Sequence, residues 1–124
     1  MSQEITKLKN KCDRLLQDAL RAENMGATCE LCPRPFTCHH HHVPKSRSNY
    51  LRYNEDNLVR ICQGCHRQIH LGIPAVWNKL IEVRTESWSR GLERKGHIMK
   101  SWKVTELREL KEKYTQRLKE ALEN

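Results

Sequence analysis

The sequence predicts an α+β protein, a small metal-stapled module over residues 27–72 flanked by N- and C-terminal amphipathic helices. Two Cys-x-x-Cys pairs, Cys29–Cys32 and Cys62–Cys65, bracket a histidine-rich segment. Only 37% of the 124 residues are hydrophobic, with a single Phe and 31% charged, so the apolar core is small and a bound metal is its natural supplement. At both ends of the chain apolar residues recur at helical spacing.

In order, Ile5, Leu8, Cys12, Leu15, Leu16 and Ala19 recur every three to four residues, which predicts an amphipathic helix from Gln3 to about Asn24. Gly26 is placed to end it. The next segment gathers both Cys pairs, six of the seven histidines and three of the four prolines, and is the chemical part of the chain. Within it, alternation in Leu58-Val59-Arg60-Ile61 predicts a strand, and Pro44 through Asp56, rich in Ser and Asn, a connecting loop. His66 and His70 stand at i and i+4, which puts both imidazoles on one face of a short helix. Pro74 opens a further helix that carries Val76, Trp77, Leu80, Ile81 and Trp88 inward until Gly91 and Gly96 loosen it. From about Val104 a last amphipathic helix places Val104, Leu107, Lys111, Tyr114, Leu118 and Ala121 or Leu122 on one face. The expected organisation is therefore a helix over 1–26, the module over 27–72 and a helical region over 73–124, with no internal repeat.

Lys plus Arg number 23 against 15 Asp plus Glu, a formal charge of +8 that suits a polyanionic partner. No apolar run approaches the ~20 residues of a membrane span, and charge interrupts any would-be secretory signal at the N-terminus. The expected setting is the cytoplasm, where paired cysteines point to metal rather than disulfides. Each Cys-x-x-Cys turn offers two thiolates, and Cys29, Cys32, Cys62 and Cys65 together make a closed tetrahedral site for a structural zinc. Four thiolates leave no position for water, so any metal-dependent chemistry needs a different ion. Cys12 and Cys38 are read as packing residues.

Between and after the knuckles stand His39-His40-His41-His42-Val43-Pro44, then Asn57, then Cys65-His66 and His70. That order resembles the HNH nucleases, and the resemblance implies their ββα-metal fold, a hairpin followed by a short helix. It also implies phosphodiester hydrolysis, in which a neutral imidazole deprotonates water and a divalent cation neutralises charge at phosphorus. By the same resemblance the general base is the second residue of a His-His pair and the residue before it is a metal ligand. Two registers stay open: His41 as base with His40 as ligand, which is preferred for the two residues left before Pro44, or His42 as base with His41 as ligand. Asn57 would hydrogen-bond the backbone beside the base and orient it. His66 would complete the ligand set, joined by His70 as in colicin-type nucleases. Lys45, Arg47, Arg52, Arg60 and Arg67 surround the motif and suit phosphate contacts. The catalytic cation is expected to be Mg or Mn, with Ni or Zn as alternatives.

Leu51-Arg52-Tyr53-Asn54-Glu55-Asp56-Asn57 with Cys62-x-x-Cys65, and a tail with Trp102, Glu106-Leu107, Tyr114 and Leu118-Lys119, is similar to the NinG (Rap) family of phage recombination endonucleases. His66 stands where that family's pattern carries Asn. This resemblance implies cutting of branched DNA such as Holliday junctions and D-loops, in the bacterial host cytoplasm if the chain is phage-encoded. The alternatives are a nonspecific or nicking HNH endonuclease and a non-catalytic zinc module that binds nucleic acid. The two terminal helices offer surface either for a homodimer or for folding back on one another within one chain.

Overall fold

The amphipathic pattern at the N-terminus becomes a helix, α1 (Gln3–Glu23), in the computed structural model, which describes residues 3–123. Residues 1, 2 and 124, the outermost positions of the expected terminal regions, lie outside the described residues. After α1 come a short strand β1 (Cys38–His41), a 3-10 turn (Glu55–Asn57), β2 (Leu58–Ile61) and four helices, α2 (Gln63–His70), α3 (Pro74–Arg84), α4 (Glu86–Lys95) and α5 (Val104–Glu123). The protein is α+β, as its sequence predicts, and divides into two units: residues 3–25 with 101–123, and residues 26–100.

The first unit is a pair of helices. Cys12, Leu15, Leu16, Ala19 and Leu20 of α1 and Leu107 and Tyr114 of α5 are buried, so the apolar stripes face each other within one chain. Lys111, expected on the stripe of α5, is exposed. The Cys12 thiol, fully buried, donates to the Leu107 carbonyl at 3.3 Å, in keeping with a packing role. Arg108 meets Glu4 near the starts of the two helices and Arg117 meets Glu23 nearer their ends, so α1 and α5 run in the same direction. Gly26 takes φ +88°, a conformation that ends α1 without the strain an L side chain would bring.

In the second unit β1 and β2 pair antiparallel, with Cys38 opposite Ile61, His39 opposite Arg60, His40 opposite Val59 and His41 opposite Leu58. α2 follows directly, with Cys62 as its N-cap. Hairpin and helix thus occur in the expected ββα order. One apolar cluster gathers Cys29, Leu31, Val59, Ile61, Cys62 and Leu80, with Val76, Ile69 and Trp88 against it; a second holds Val43, Leu51 and Leu92 and also touches Trp88. Glu30 ties the second strand to α3. It accepts from the Arg60 N–H at 2.7 Å and from Arg84 Nε and Nη2 at 2.7 and 2.9 Å, while Arg84 Nη2 also donates to the Leu58 carbonyl at 2.8 Å. Burial alone raises the Glu30 carboxyl, but the Arg84 guanidinium and the Arg60 N–H outweigh it and hold the group below the ordinary carboxylate range.

Two expectations are corrected beyond Pro74. One continuous helix up to Gly91 was expected, but the chain breaks at Thr85, which closes α3 by donating its N–H to Ile81 O and caps α4 with its hydroxyl, which accepts from the Trp88 N–H. Thr85 does this at φ 86°, ψ 151°, a backbone strain of order 1–3 kcal/mol for a β-branched residue. Gly91 lies inside α4, and Gly96 ends it. Trp77 is not carried inward as expected: it is 42% exposed, whereas Leu80 is fully buried.

Candidate metal and catalytic site

Each Cys-x-x-Cys turn aims backbone N–H groups at its own first sulfur. Leu31 N–H donates to Cys29 Sγ at 3.3 Å, and Cys65 N–H to Cys62 Sγ at 3.4 Å. Such donors stabilise thiolates before any cation arrives. The strand pairing then brings the two turns together, so that the four sulfurs all lie within 4.8 Å of one another and Cys32 Sγ stands 3.6 Å from Cys62 Sγ. Sulfurs bound at ~2.3 Å around a tetrahedral zinc lie roughly 3.8 Å apart, so the donor set and its spacing fit that ion. Charge argues the same way. Burial raises the Cys62 thiol, but the Cys65 N–H and the neighbouring sulfurs bring it down to about 7, while burial and those same sulfurs push Cys65 up. A doubly charged cation removes that conflict by taking all four as thiolates.

A second cluster forms where β1 faces α2. His40, with His66 and His70 from successive turns of α2, offers ring nitrogens all within 4.8 Å of one another. The Nε2 atoms of His66 and His70 are 2.9 Å apart, and the His40 ring centroid lies 5.0 and 5.5 Å from theirs. Nitrogens bound at about 2.0–2.2 Å to one ion are separated by roughly 3.0–3.5 Å, so these three imidazoles fit a cation with little adjustment. Burial and the facing imidazoles push His40 down to about 3, and burial with His70 lowers His66, both in the direction that favours the neutral form a ligand requires. A cation held by three imidazoles would keep coordination positions open.

The four consecutive histidines have four different surroundings. His39 is buried with its ring edge on Phe36, 5.4 Å between centroids. His40 belongs to the cluster. His41, half-buried, has Nε2 3.0 Å from the Arg52 carbonyl oxygen. A carbonyl only accepts, so the ring donates from Nε2, and in its neutral form it carries the lone pair on Nδ1. His42 is buried between Trp77 and Trp88, 5.1 and 4.4 Å between ring centroids, with Nε2 2.8 Å from Ser89 Oγ; burial lowers it. Its ring packs between helices, outside the cluster of His40, His66 and His70.

Asn57, fully buried, holds the loop next to these rings. Its Oδ1 accepts from the Val43 N–H at 2.8 Å, and its Nδ2 donates to the Val43 carbonyl at 2.9 Å and the Leu51 carbonyl at 3.5 Å. It therefore joins the chain leaving β1 to the loop whose next carbonyl, on Arg52, receives the His41 proton.

The basic residues lie in several places. Arg60 sits opposite His39 and donates from Nε to the Thr28 carbonyl at 2.8 Å. The Arg52 guanidinium lies 5.9 Å from the Tyr53 ring centroid, and Arg67 is exposed on α2. Lys45 and Arg47 line a cleft of about 220 Å³ with His97 to Lys100, where Arg47 also pairs with Glu93 at 2.7 Å.

Sequence reasoning did not find Ser89, Arg84, Glu30 or the Cys38 contact with the histidines. Cys38 Sγ stands 3.6 Å from His66 Nδ1. Its position two residues before His40 was the available signal, because strand alternation gives both the same face.

A family model described as NinG, bacteriophage lambda NinG protein, matches residues 3–124. No curated protein and no solved structure matches.

Proposed function

The chain belongs to the bacteriophage lambda NinG protein family, and from that premise we propose that it is an HNH-type, metal-dependent endonuclease that hydrolyses phosphodiester bonds in DNA. One observation carries this reading: the ring nitrogens of His40, His66 and His70 converge to within 4.8 Å of one another, and His41, the next residue of the strand, holds its Nε2 on a backbone carbonyl. A bound divalent cation would supply charge neutralisation at the scissile phosphate and at the leaving oxygen. His41 acts as the general base, taking the proton of the attacking water on Nδ1 while Arg52 O holds Nε2–H. Asn57 positions that carbonyl through the adjoining Leu51 and Val43 peptides. The register with His42 as base is disfavoured, because its ring is buried between two tryptophans.

The four-thiolate site is structural and would hold zinc; it braces both the strand and the helix that carry the cation ligands. The net charge of +8 supports a polyanionic substrate, with Lys45, Arg47, Arg52 and Arg67 as phosphate contacts. Arg60 serves the fold through Thr28. The resemblance to the phage recombination endonucleases extends the proposal to branched DNA, acted on in the host cytoplasm. Among the described residues no helix is long and apolar enough to cross a membrane.

The test incubates the zinc-loaded chain with a labelled four-way junction, a matched linear duplex and a single strand, with and without Mg²⁺ or Mn²⁺. Expected is cation-dependent cutting, fastest on the junction and lost in His41→Ala. Equal cutting of junction and duplex replaces branched-DNA selectivity with a nonspecific nuclease. Binding without cutting in any metal replaces the enzyme with a nucleic-acid-binding module.

A further inference from the structure

We propose that Cys38 is a positioning residue for the imidazole site: its sulfur accepts the Nδ1–H of His66 and so aims that ring's Nε2 at the cation. The inference rests on the reading that His40, His66 and His70 hold an ion.

β1 sets the side chains of Cys38 and His40 on one face of the hairpin, the face from which both reach α2. His66 stands there with its two nitrogens engaged at opposite ends. Nε2 lies 2.9 Å from His70 Nε2, in the cluster, and Nδ1 lies 3.6 Å from Cys38 Sγ. A cation takes the lone pair of one ring nitrogen, so the other must carry the proton, and a proton turned into the protein needs an acceptor. The second nitrogen of a metal-bound histidine usually finds a carboxylate or a carbonyl. Here the atom at that position is sulfur.

Sulfur suits the distance. A contact of 3.6 Å is within hydrogen-bonding range for sulfur but too long for an oxygen acceptor without a shift. A thiol is a weak acceptor, and a cation on Nε2 makes Nδ1–H a stronger donor, so the contact tightens when the ion arrives. Cys38 also packs against the apolar cluster around the zinc thiolates, and that second role is what the experiment must separate.

The test uses the zinc-loaded 124-residue chain with Cys38→Val, which keeps the volume but removes the acceptor, and Cys38→Ser, which keeps an acceptor on a shorter side chain. Mn²⁺ binding is followed by electron paramagnetic resonance, and the protonated nitrogen of His66 is read from long-range ¹H–¹⁵N spectra before Mn²⁺ is added. Expected is Nδ1–H at His66 in the wild type, a shift toward Nε2–H in Cys38→Val, and Mn²⁺ affinity about 10–100-fold weaker in that variant. Cys38→Ser, whose shorter side chain can accept only after a shift, recovers part of the affinity, and zinc content stays at one equivalent throughout. Unchanged affinity and tautomer in a folded Cys38→Val overturn the proposal and leave Cys38 a packing residue. If Cys38→Val does not fold, the wild-type tautomer decides, and Nε2–H there overturns the proposal. A wild type that binds no Mn²⁺ at the imidazoles removes the parent reading as well, which a loss confined to the variant does not.

Discussion

Replacing Asn57 with Ala should destabilise the 26–100 unit far more than an ordinary polar substitution. The side chain is fully buried, and two of its hydrogen bonds are short: the Val43 N–H to Oδ1 at 2.8 Å and Nδ2 to the Val43 carbonyl at 2.9 Å. Val43 is itself buried, so its peptide groups have no water to turn to. A buried donor or acceptor left without a partner costs about 1–3 kcal/mol, so the pair costs roughly 2–6 kcal/mol, with the cavity adding to it. Against a typical stability of about 5–15 kcal/mol that is a large fraction. Asn57→Asp should be no milder, because it replaces the Nδ2 donor with an acceptor facing the Val43 and Leu51 carbonyls and buries a charge. The assay is urea unfolding of zinc-loaded protein at fixed pH, with zinc content checked. If both variants unfold within about 1 kcal/mol of the wild type, Asn57 does not hold the loop as described and cannot position the His41 acceptor.

Cys62→Ser should lose the zinc equivalent and abolish cooperative unfolding of the same unit, measured by elemental analysis and calorimetry; a variant with undiminished melting temperature contradicts the thiolate staple. His42→Ala should cost about 2–4 kcal/mol, because it empties the space between Trp77 and Trp88 and strands the Ser89 hydroxyl, yet cleavage per folded molecule should survive. Full stability with lost cleavage would instead make His42 the base. Acid should weaken the fold through His40. Folding depresses its pKa from 6.5 to about 3, so between those values the unfolded chain binds a proton that the folded chain refuses, and stability falls as pH drops. The contribution is fully present above about pH 6.5 and declines below it by at most ~1.4 kcal/mol per pH unit. Urea unfolding at pH 7.5, 6.5 and 5.5 should show this slope, and a shallower one in His40→Gln at equal zinc content. An identical slope in that variant excludes His40 as its source.

The elements that were legible in the sequence are those whose signal is local. Helical periodicity located α1 and α5, Pro74 marked the start of α3, and alternation gave β2 to the residue. Cysteine spacing identified the thiolate cluster, and the i, i+4 pair His66 and His70 gave a shared face that the structure completes with His40. The break at Thr85 was not legible, because a β-branched residue at positive φ is set by tertiary contacts that outweigh its own preference. Nor was the way the chain beyond Pro74 divides, with α3 and α4 in one unit and α5 in the other, since amphipathicity says that a face is buried but not against what. Four adjacent histidines look alike in a sequence. Only strand alternation and the position of the tryptophans separate a ring in the cluster, a ring on a carbonyl and a ring between indoles.

The most direct measurement titrates Mn²⁺ into the zinc-loaded chain and follows, in the same samples, occupancy of the second ion and the single-turnover rate of DNA cleavage. Cleavage should rise in step with the second equivalent and disappear in His66→Ala while zinc remains bound. Cutting at full rate with zinc alone in the thiolate site, or none at full occupancy of the imidazoles, would contradict the account.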